Sequence, residues 1–452
     1  MPCPEGIYER MARKPRIGIL TGGGDVPGLN GVIKSVTYRA TELGYDVFGI
    51  RRGWLGLTHQ RPGAAMDEGF VIPLNRMNTR TIDRTGGTWL HSSRTNPRKM
   101  KKAALPPGLD AKQAESMRTG EDRYDITPLV MDNIKAIGLD YLIPIGGDDT
   151  LSYSRSLHDA GMDLIAIPKT MDNDVQGTEY CIGFSTAITR AKDAINRQRT
   201  TIGSHERIGV FRIFGRDAGF TALYTAFVTS ARCVIPEHQY DVEKLAAILA
   251  EDHANNPSHY AFVITAEGAI WEGGRIDDVG EPDAFGHRHK ANVAEVLASE
   301  IKGLSGIDTI HSDLTYDLRS GEPDSVDTMV AMTFANTAMD LVANGQRGRM
   351  MAIRDGRYAH SPLPSQDDTA VSVDIDTMYN TERFRPLYSG LLGRPMMLGH
   401  SVDALTNPYA RWQGALAHEV RLPPTRARRM GAARGDPARR PHDGAGRAVR
   451  AG

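Results

Sequence analysis

The sequence predicts an α/β protein of two similar domains with mainly parallel sheets, facing each other across a cleft. Three observations carry that prediction. Apolar runs of strand length alternate with helical stretches, and the pattern of strand, polar loop and helix recurs at least seven times along the 452 residues. So many strands exceed one comfortable sheet domain, which splits the chain in two. The clearest unit lies at 141–174, where strand-like runs at 141–145 and 164–167 flank a helical segment at 151–160. This is a βαβ unit with both strand ends aimed the same way, and ligands of open parallel sheets bind beyond such ends. Its rim receives Asp148, Asp149, Lys169, Asp172 and Asp174, four carboxylates and one ammonium suited to metal-assisted chemistry on a phosphate.

The elements follow in order. Residues 16–20 (RIGIL) form a buried first strand that runs into TGGGDVPGLN and a helix at 31–43. A glycine-rich turn between strand and helix brings backbone N–H groups close to an anion. It is neither a Walker A loop nor a G-x-G-x-x-G fingerprint, which fails at Pro27, so a purely structural turn stays open at this point. A second strand at 45–50 leads into a Gly-rich connection at 52–57, and Thr85–Thr88 with His91–Thr95 form a small-residue loop carrying Arg94. Residues 97–127 are polar and read as an inserted surface excursion, followed by a short helix at 129–138. Beyond the central unit come a helix at 183–200, a strand at 207–214, a helix at 220–229, a strand at 232–235, a helix at 242–251 and a strand at 260–266 ending at Glu267. A surface loop is expected at 271–290. A strand-like stretch at 307–316 passes into the polar end DLRSG, with a helix at 326–343 and a hairpin at 350–358 after it. The Arg-, Gly-, Ala- and Pro-rich tail at 422–452 lacks apolar periodicity and is expected to be a disordered basic tail.

Composition narrows the class. Hydrophobic residues make up 40% and charged residues 24%, and a net charge of −1 gives no bias toward nucleic acid or membranes. Cys3, Cys181 and Cys233 are far apart, so neither a disulfide framework nor a zinc site is indicated. The N-terminus lacks the apolar core of a secretory signal, and no run of about 18 apolar residues offers a membrane span. The expectation is a cytoplasmic protein without nucleic-acid or membrane partners.

TGGGDVPGLN, GGTWLHSSR, IGGDDT, PKTMDND, SHERIGVFRIFGRDAG, the Glu267 strand end and YDLRSG stand in the order and rough spacing of phosphofructokinases. The chain resembles that family from about residue 16 to about residue 355. The resemblance implies two similar Rossmann-like α/β domains with mainly parallel sheets and the active site in the cleft between them. It places a phosphoryl-donor domain at 14–182, joined by 320–365, and a sugar-phosphate domain at 183–319 with a C-terminal return at 366–420. It implies phosphoryl transfer to the 1-hydroxyl of fructose 6-phosphate.

Two positions bear on the donor. ATP-using members read GGDG[ST] and P-G-T-[IM]-D-N-D, whereas this chain has Asp149 and Lys169 in place of those glycines, which is similar to the pyrophosphate-dependent branch. A carboxylate adds bulk and negative charge where a nucleotide α-phosphate would sit, a repulsion of about 4 kcal/mol at 4 Å for an effective dielectric near 20. Lys169 adds a positive charge beside the transferring group. The bland alternative has Asp149 merely capping the following helix, and an ATP-dependent 6-phosphofructokinase is the alternative function.

The resemblance further implies Asp172 as proton acceptor and Asp148 as the Mg²⁺ ligand, with Lys169 and Asp149 beside the reacting phosphate. Gly23, Gly24 and Arg94 would bind the donor. Thr170, Met171, Asp172, Arg207, Phe214, Gly215, Arg216, Glu267, Tyr316 and Arg319 would bind the sugar phosphate. Phe214-Gly215-Arg216 replaces the family's M-G-R, and Arg207 matches an arginine that reaches a neighbouring subunit's site in tetrameric relatives. The helix arginines that bind an allosteric nucleotide in bacterial ATP-using relatives are Lys34 and Tyr38 here, so a non-allosteric homodimer or homotetramer is expected. Lipid and NAD kinases share the GGDG-type turn but lack the downstream motifs. A non-catalytic regulatory subunit would lack the acidic positions that Asp148 and Asp172 retain.

Overall fold

The first strand, β1 (Arg16–Thr21), is buried from Ile17 onward and feeds α1 (Leu29–Glu42), after which β2 (Asp46–Ile50) pairs with β1 in parallel. The chain continues through α2 (Trp54–His59), β3 (Val71–Leu74), α3 (Thr127–Ile137), β4 (Tyr141–Gly146), α4 (Asp148–Asp159) and β5 (Ile165–Pro168). Then come α5 (Phe184–Ser204), β6 (Ile208–Ile213), α6 (Phe220–Thr229), β7 (Arg232–Val234), α7 (Val242–Asn255) and β8 (Ala261–Ala266). The last are α8 (Val293–Ser305), β9 (Thr309–Asp313), α9 (Tyr316–Arg319), α10 (Ser325–Ala343), β10 (Arg349–Arg354) and β11 (Arg357–Pro362). This computed structural model describes residues 13–60, 69–274, 278–279, 289–290, 293–365, 368 and 370–391, all in a compact unit that ends at Val402. The expected basic tail lies outside the described residues, as do parts of the 271–290 loop and most of the 366–420 return.

The strands form two main sheets. A seven-stranded sheet runs in the order β11-β10-β5-β4-β1-β2-β3, parallel across its five inner strands with antiparallel β3 and β11 at the edges. A four-stranded sheet, β9-β6-β8-β7, is parallel throughout. Side chains of the large sheet divide between its faces with period two. Ile143 and Ile145 enter one apolar cluster with α1 and α10, while Leu142 enters a second with α3 and α4. The first cluster extends without a break to Val210, Val263 and Leu297 around the small sheet.

Topology places the site. From β1 the chain moves to β2 on one side, yet β4 returns on the other side of β1. The connections leaving the carboxyl ends of β1 and β4 therefore diverge and leave a crevice between them. Into it open the turn Gly22–Gly24 and the turn Gly147–Asp149.

The segment linking the two sheets is pinned by a buried carboxylate. Asp327, near the start of α10, accepts hydrogen bonds from Tyr180 Oη (2.6 Å), Gly183 N (2.8 Å) and Thr186 N (2.8 Å). Burial pushes its pKa up to about 6, opposed by these same donors.

Several local expectations need correction. The 52–57 connection contains α2, because Trp54 and Leu57 find a buried seat beside α3. The 97–127 excursion has a small core of its own, Met100, Met117, Tyr124 and Ile126, under a short hairpin. The polar end DLRSG begins as a helical turn, α9, rather than a simple strand end. Strand β3 and helix α8 were absent from the sequence reading. Helix α8 carries a clear apolar face, with Val293, Ala294, Leu297, Ala298 and Ile301 buried.

Candidate active site

A cleft of about 440 Å³ opens where the carboxyl ends of both sheets converge. From the large sheet it receives Gly23, Gly24, Arg94, Asp148, Asp149 and the run Lys169–Asp172 with Asp174. The small sheet contributes Phe214, Arg216, Glu267, Tyr316 and Arg319. Sixteen residues were expected at the site, and two of them do not line this cleft. Gly215 lies beneath it and sets the turn, with φ of 123° and no room for a Cβ, which would sit 2.7 Å from the Ala218 carbonyl. Arg207 lies just before the amino end of β6, the edge away from the cleft, and interacts with Asp308 there. Arg207 therefore does not meet the other expected site residues within this chain.

The large-sheet wall is sewn together by hydrogen bonds to backbone groups of one loop. Gly23 N donates to Ser93 O at 3.0 Å, and Thr21 Oγ1 donates to His91 O at 2.9 Å. Asn30 Nδ2 holds Thr85 O at 3.1 Å, and Asn30 Oδ1 accepts from Trp89 N at 2.7 Å. The loop at 85–95 thus lies against the glycine turn and carries Arg94 to the cleft. The amide of Gly23 is committed to Ser93, so Gly23 contributes space rather than a donor. A Cβ there would lie 3.5 Å from Lys169 Nζ, and one at Gly24 would lie 3.1 Å from an Arg319 nitrogen.

Asp148 and Asp149 occupy the first turn of α4, whose amino end favours negative charge. The N-cap position is Gly147, which brings no side chain, and Asp149 stands inside the first turn rather than at the cap. It is exposed on the cleft wall. The loop after β5 is held by Asn173, which adopts a left-handed φ of 55°. Its side chain donates to Glu179 O at 3.0 Å and accepts from Cys181 N at 2.7 Å. This staple turns the flanking Asp172 and Asp174 toward the cleft, a local strain of the kind concentrated at functional sites.

The electrostatics of this wall are unbalanced. Burial first, then Asp174, Asp149 and Asp172, raise the pKa of Asp148. Asp172 is raised by burial and then by Asp174, against the pull of Arg319, and its Oδ1 is buried without a hydrogen-bond partner. Asp174 is raised chiefly by burial. Lys169 is 4% exposed and its Nζ donates to the Gly24 carbonyl. Burial, then Arg319, lowers its pKa to about 8. Among the described residues no three acidic, histidine or cysteine side chains are grouped to hold a metal by themselves. Mg²⁺ characteristically takes one or two carboxylates and completes its shell with water and phosphate oxygens, which Asp148 can serve.

The small-sheet wall is more evenly paired. Arg319 lies over the Phe214 ring, its guanidinium carbon 4.5 Å from the centroid. Glu267 is 5% exposed at the end of β8 and meets Arg212 at 3.1 Å. Met171 is buried, its carbonyl taken by Thr221 Oγ1 at 2.7 Å, and Thr170 Oγ1 accepts from Asp172 N at 3.1 Å. Tyr316 is 69% exposed at the rim. Arg212, Asp25 and Asp217 also line the cleft and were missed by sequence reasoning. Arg212 was within reach of it, standing two residues before Phe214 in the expected strand at 207–214, where period two puts both on the same face.

Comparison with known proteins agrees with this architecture. The phosphofructokinase family profile matches residues 16–342. The pyrophosphate--fructose 6-phosphate 1-phosphotransferase of Streptomyces coelicolor is 35% identical over 363 residues, covering 79% of this chain and 96% of that protein. ATP-dependent 6-phosphofructokinase 3 of the same organism is 35% identical over 342 residues, covering 75% and 91%. The solved pyrophosphate-dependent phosphofructokinase from Nitrosospira multiformis aligns with a TM-score of 0.68 at 16% identity, over 85% of this chain and 92% of that one, a likeness of fold. The profile takes in the whole four-stranded sheet and every cleft loop from Gly23 to Arg319, and the chain belongs to the phosphofructokinase family.

Proposed function

We propose that this enzyme reversibly transfers a phosphoryl group from pyrophosphate to the 1-hydroxyl of fructose 6-phosphate, giving fructose 1,6-bisphosphate and phosphate. ATP-dependent enzymes stand among the relatives, yet the pyrophosphate reading is the better supported, by relatives from several organisms. The observation that carries the choice is the pair Asp149 and Lys169 on one wall of the cleft. Asp149 stands inside the first helical turn rather than at the N-cap, and Lys169 is buried with its ammonium beside the glycine turn. The carboxylate opposes a nucleotide α-phosphate, and the ammonium attracts the terminal phosphate of a compact donor.

In this reading the sugar 1-oxygen attacks the terminal phosphorus in line, the bridging P–O bond breaks, and inorganic phosphate leaves. Asp172 takes the hydroxyl proton, and its raised pKa brings it nearer neutrality, where a general base works best. Lys169 and Arg94 balance charge on the donor, while Gly23 and Gly24 leave it space. Mg²⁺, held through Asp148 and the donor oxygens, would neutralise phosphate charge. Arg216 and Arg319 take the 6-phosphate, an anion their planar forks suit, and Glu267 accepts from a sugar hydroxyl. Phe214, Tyr316, Thr170 and Met171 shape the remaining sugar contact.

The donor domain is assigned to 14–182 with 320–365, and the sugar-phosphate domain to 183–319 with the later return. We assign the enzyme to the cytoplasm as a homodimer or homotetramer without nucleotide control. Among the described residues no helix is long and apolar enough to cross a membrane. In support of the absence of nucleotide control, Lys34 is engaged by Asp83 at 2.8 Å, and Tyr38 lies beneath Arg76 at 4.9 Å. The deciding assay compares pyrophosphate with ATP at equal Mg²⁺. Pyrophosphate is expected to turn over faster, and Asp149→Gly with Lys169→Gly should lower that rate by about 10²–10³-fold. Faster turnover with ATP overturns the donor assignment.

A further inference from the structure

Arg212 occupies an unusual place for a guanidinium. It stands in the last turn of β6 before the cleft, in register with Thr265 on one neighbouring strand and Asp313 on the other. Its side chain is only 11% exposed, yet it contributes to the cleft wall. A terminal nitrogen lies 3.1 Å from Glu267 Oε1, and the other lies 3.8 Å from Asp313 Oδ2. Glu267 Oε1 is sealed from solvent and has no aligned hydrogen bond, so its partner there is the charge of Arg212. Glu267 nevertheless lines the cleft, which leaves its second oxygen as the one that faces the substrate.

We propose that Arg212 is a positioning residue for the sugar substrate. It anchors one oxygen of Glu267 and so presents the other to a hydroxyl of the phosphorylated ketose. The inference rests on the assignment of Glu267 to sugar binding made above. A carboxylate left alone at this depth rotates freely and repels its acidic neighbours. Clamped by a guanidinium, it keeps one orientation before the sugar arrives, and less ordering remains to be done on binding. Asp313, with a side chain 42% exposed, supports Arg212 from the other strand and is screened by water.

The test measures fructose 6-phosphate binding by calorimetry without donor, alongside steady-state kinetics, for wild type, Arg212→Met, Arg212→Lys, Glu267→Gln and the double variant of Arg212→Met with Glu267→Gln. Arg212→Met should weaken sugar binding and raise its KM about tenfold to a hundredfold, the range for a hydrogen bond to a charged group. Its kcat should stay within a few-fold, and the KM for pyrophosphate should not move. Arg212→Lys should recover part of the affinity, since it keeps the charge and loses the fork. In the Glu267→Gln background, Arg212→Met should cost less than threefold further, because both changes remove one interaction. Equal and additive losses in both backgrounds, or a matching rise in the KM for pyrophosphate, overturn the proposal. So does unchanged sugar binding in Arg212→Met. If wild type binds the sugar without turning it over, the reaction assignment fails while the anchoring of Glu267 is still decided by the binding series.

Discussion

The two walls of the cleft solve the charge problem in opposite ways. On the donor side Asp148, Asp149, Asp172 and Asp174 crowd together, and burial with mutual repulsion raises Asp148 and Asp172. Lys169 and the guanidiniums of the cleft oppose them, Thr170 and a backbone donor ease Asp174, and Lys169 is itself weakened as a cation by burial. On the acceptor side Glu267 already has Arg212, and Arg319 already rests on Phe214. A wall with unmet negative charge suits a divalent cation bound together with a phosphate, as in the proposed reaction. On the acceptor wall the carboxylate of Glu267 is met at rest by Arg212, which suits it to neutral hydroxyls, while Arg216 and Arg319 line the cleft for the proposed 6-phosphate. Preorganisation on one side and frustration on the other are what a phosphoryl transfer to a sugar requires.

The sharpest break in that contrast is Asp172→Asn. The amide keeps the shape of the carboxylate and lowers the negative charge on the donor wall, but it cannot accept the sugar proton. We expect kcat to fall about 10²–10⁴-fold, with the KM for fructose 6-phosphate changed by less than a few-fold. A loss below tenfold would mean that another group takes the proton.

The next effect is read in the pH profile. Lys169 has an ordinary value of 10.5 and is lowered to about 8, by burial first and then by Arg319. An ammonium is charged below its pKa, so Lys169 carries its charge below about pH 8 and loses it above. The kcat/KM for pyrophosphate is therefore expected to fall by up to tenfold per pH unit on the alkaline side, since that ratio reports the free enzyme. The residual activity of Lys169→Gly should lack this limb. A limb of the same midpoint in that variant assigns it to another residue. The affinity for fructose 6-phosphate, measured by calorimetry without donor, should lack the limb near pH 8 that Lys169 gives the donor.

The same contrast marks how much was legible in the residues. Strand ends in parallel sheets carry small and acidic residues next to one another in sequence, so Asp148, Asp149, Lys169, Asp172 and Asp174 could be read directly from the βαβ pattern. All five line the cleft. The acceptor wall draws on three strands far apart in sequence, and its pairings come from register. Arg212 meets Glu267 only because β6 lies beside β8, which no local pattern announces. Helix α2 was missed because two glycines lowered its helical signal, while the burial of Trp54 and Leu57 that stabilises it is tertiary. Gly23 shows the reverse error. Its flexibility was legible, but the commitment of its amide to Ser93 depends on a loop some 70 residues away.

The smallest expected effect lies outside the cleft and tests whether the contrast is confined to it. Lys34 on α1 faces Asp83 at 2.8 Å, with side chains 23% and 34% exposed, and its ammonium lies 5.7 Å from the Tyr38 ring. Arg76 covers the other part of that ring. Partly exposed ion pairs of this kind contribute about 0–1 kcal/mol, so Lys34→Ala should lower the melting temperature by no more than a few degrees. The proposed lack of nucleotide control draws on this position, whose charge is engaged within the chain. The saturation curve for fructose 6-phosphate should therefore stay hyperbolic in wild type and in Lys34→Ala, with or without added ADP. Sigmoidicity that ADP relieves in wild type and that Lys34→Ala abolishes would show an unbalanced, ligand-seeking cation here as well, and would extend to α1 the logic now assigned to the donor wall alone.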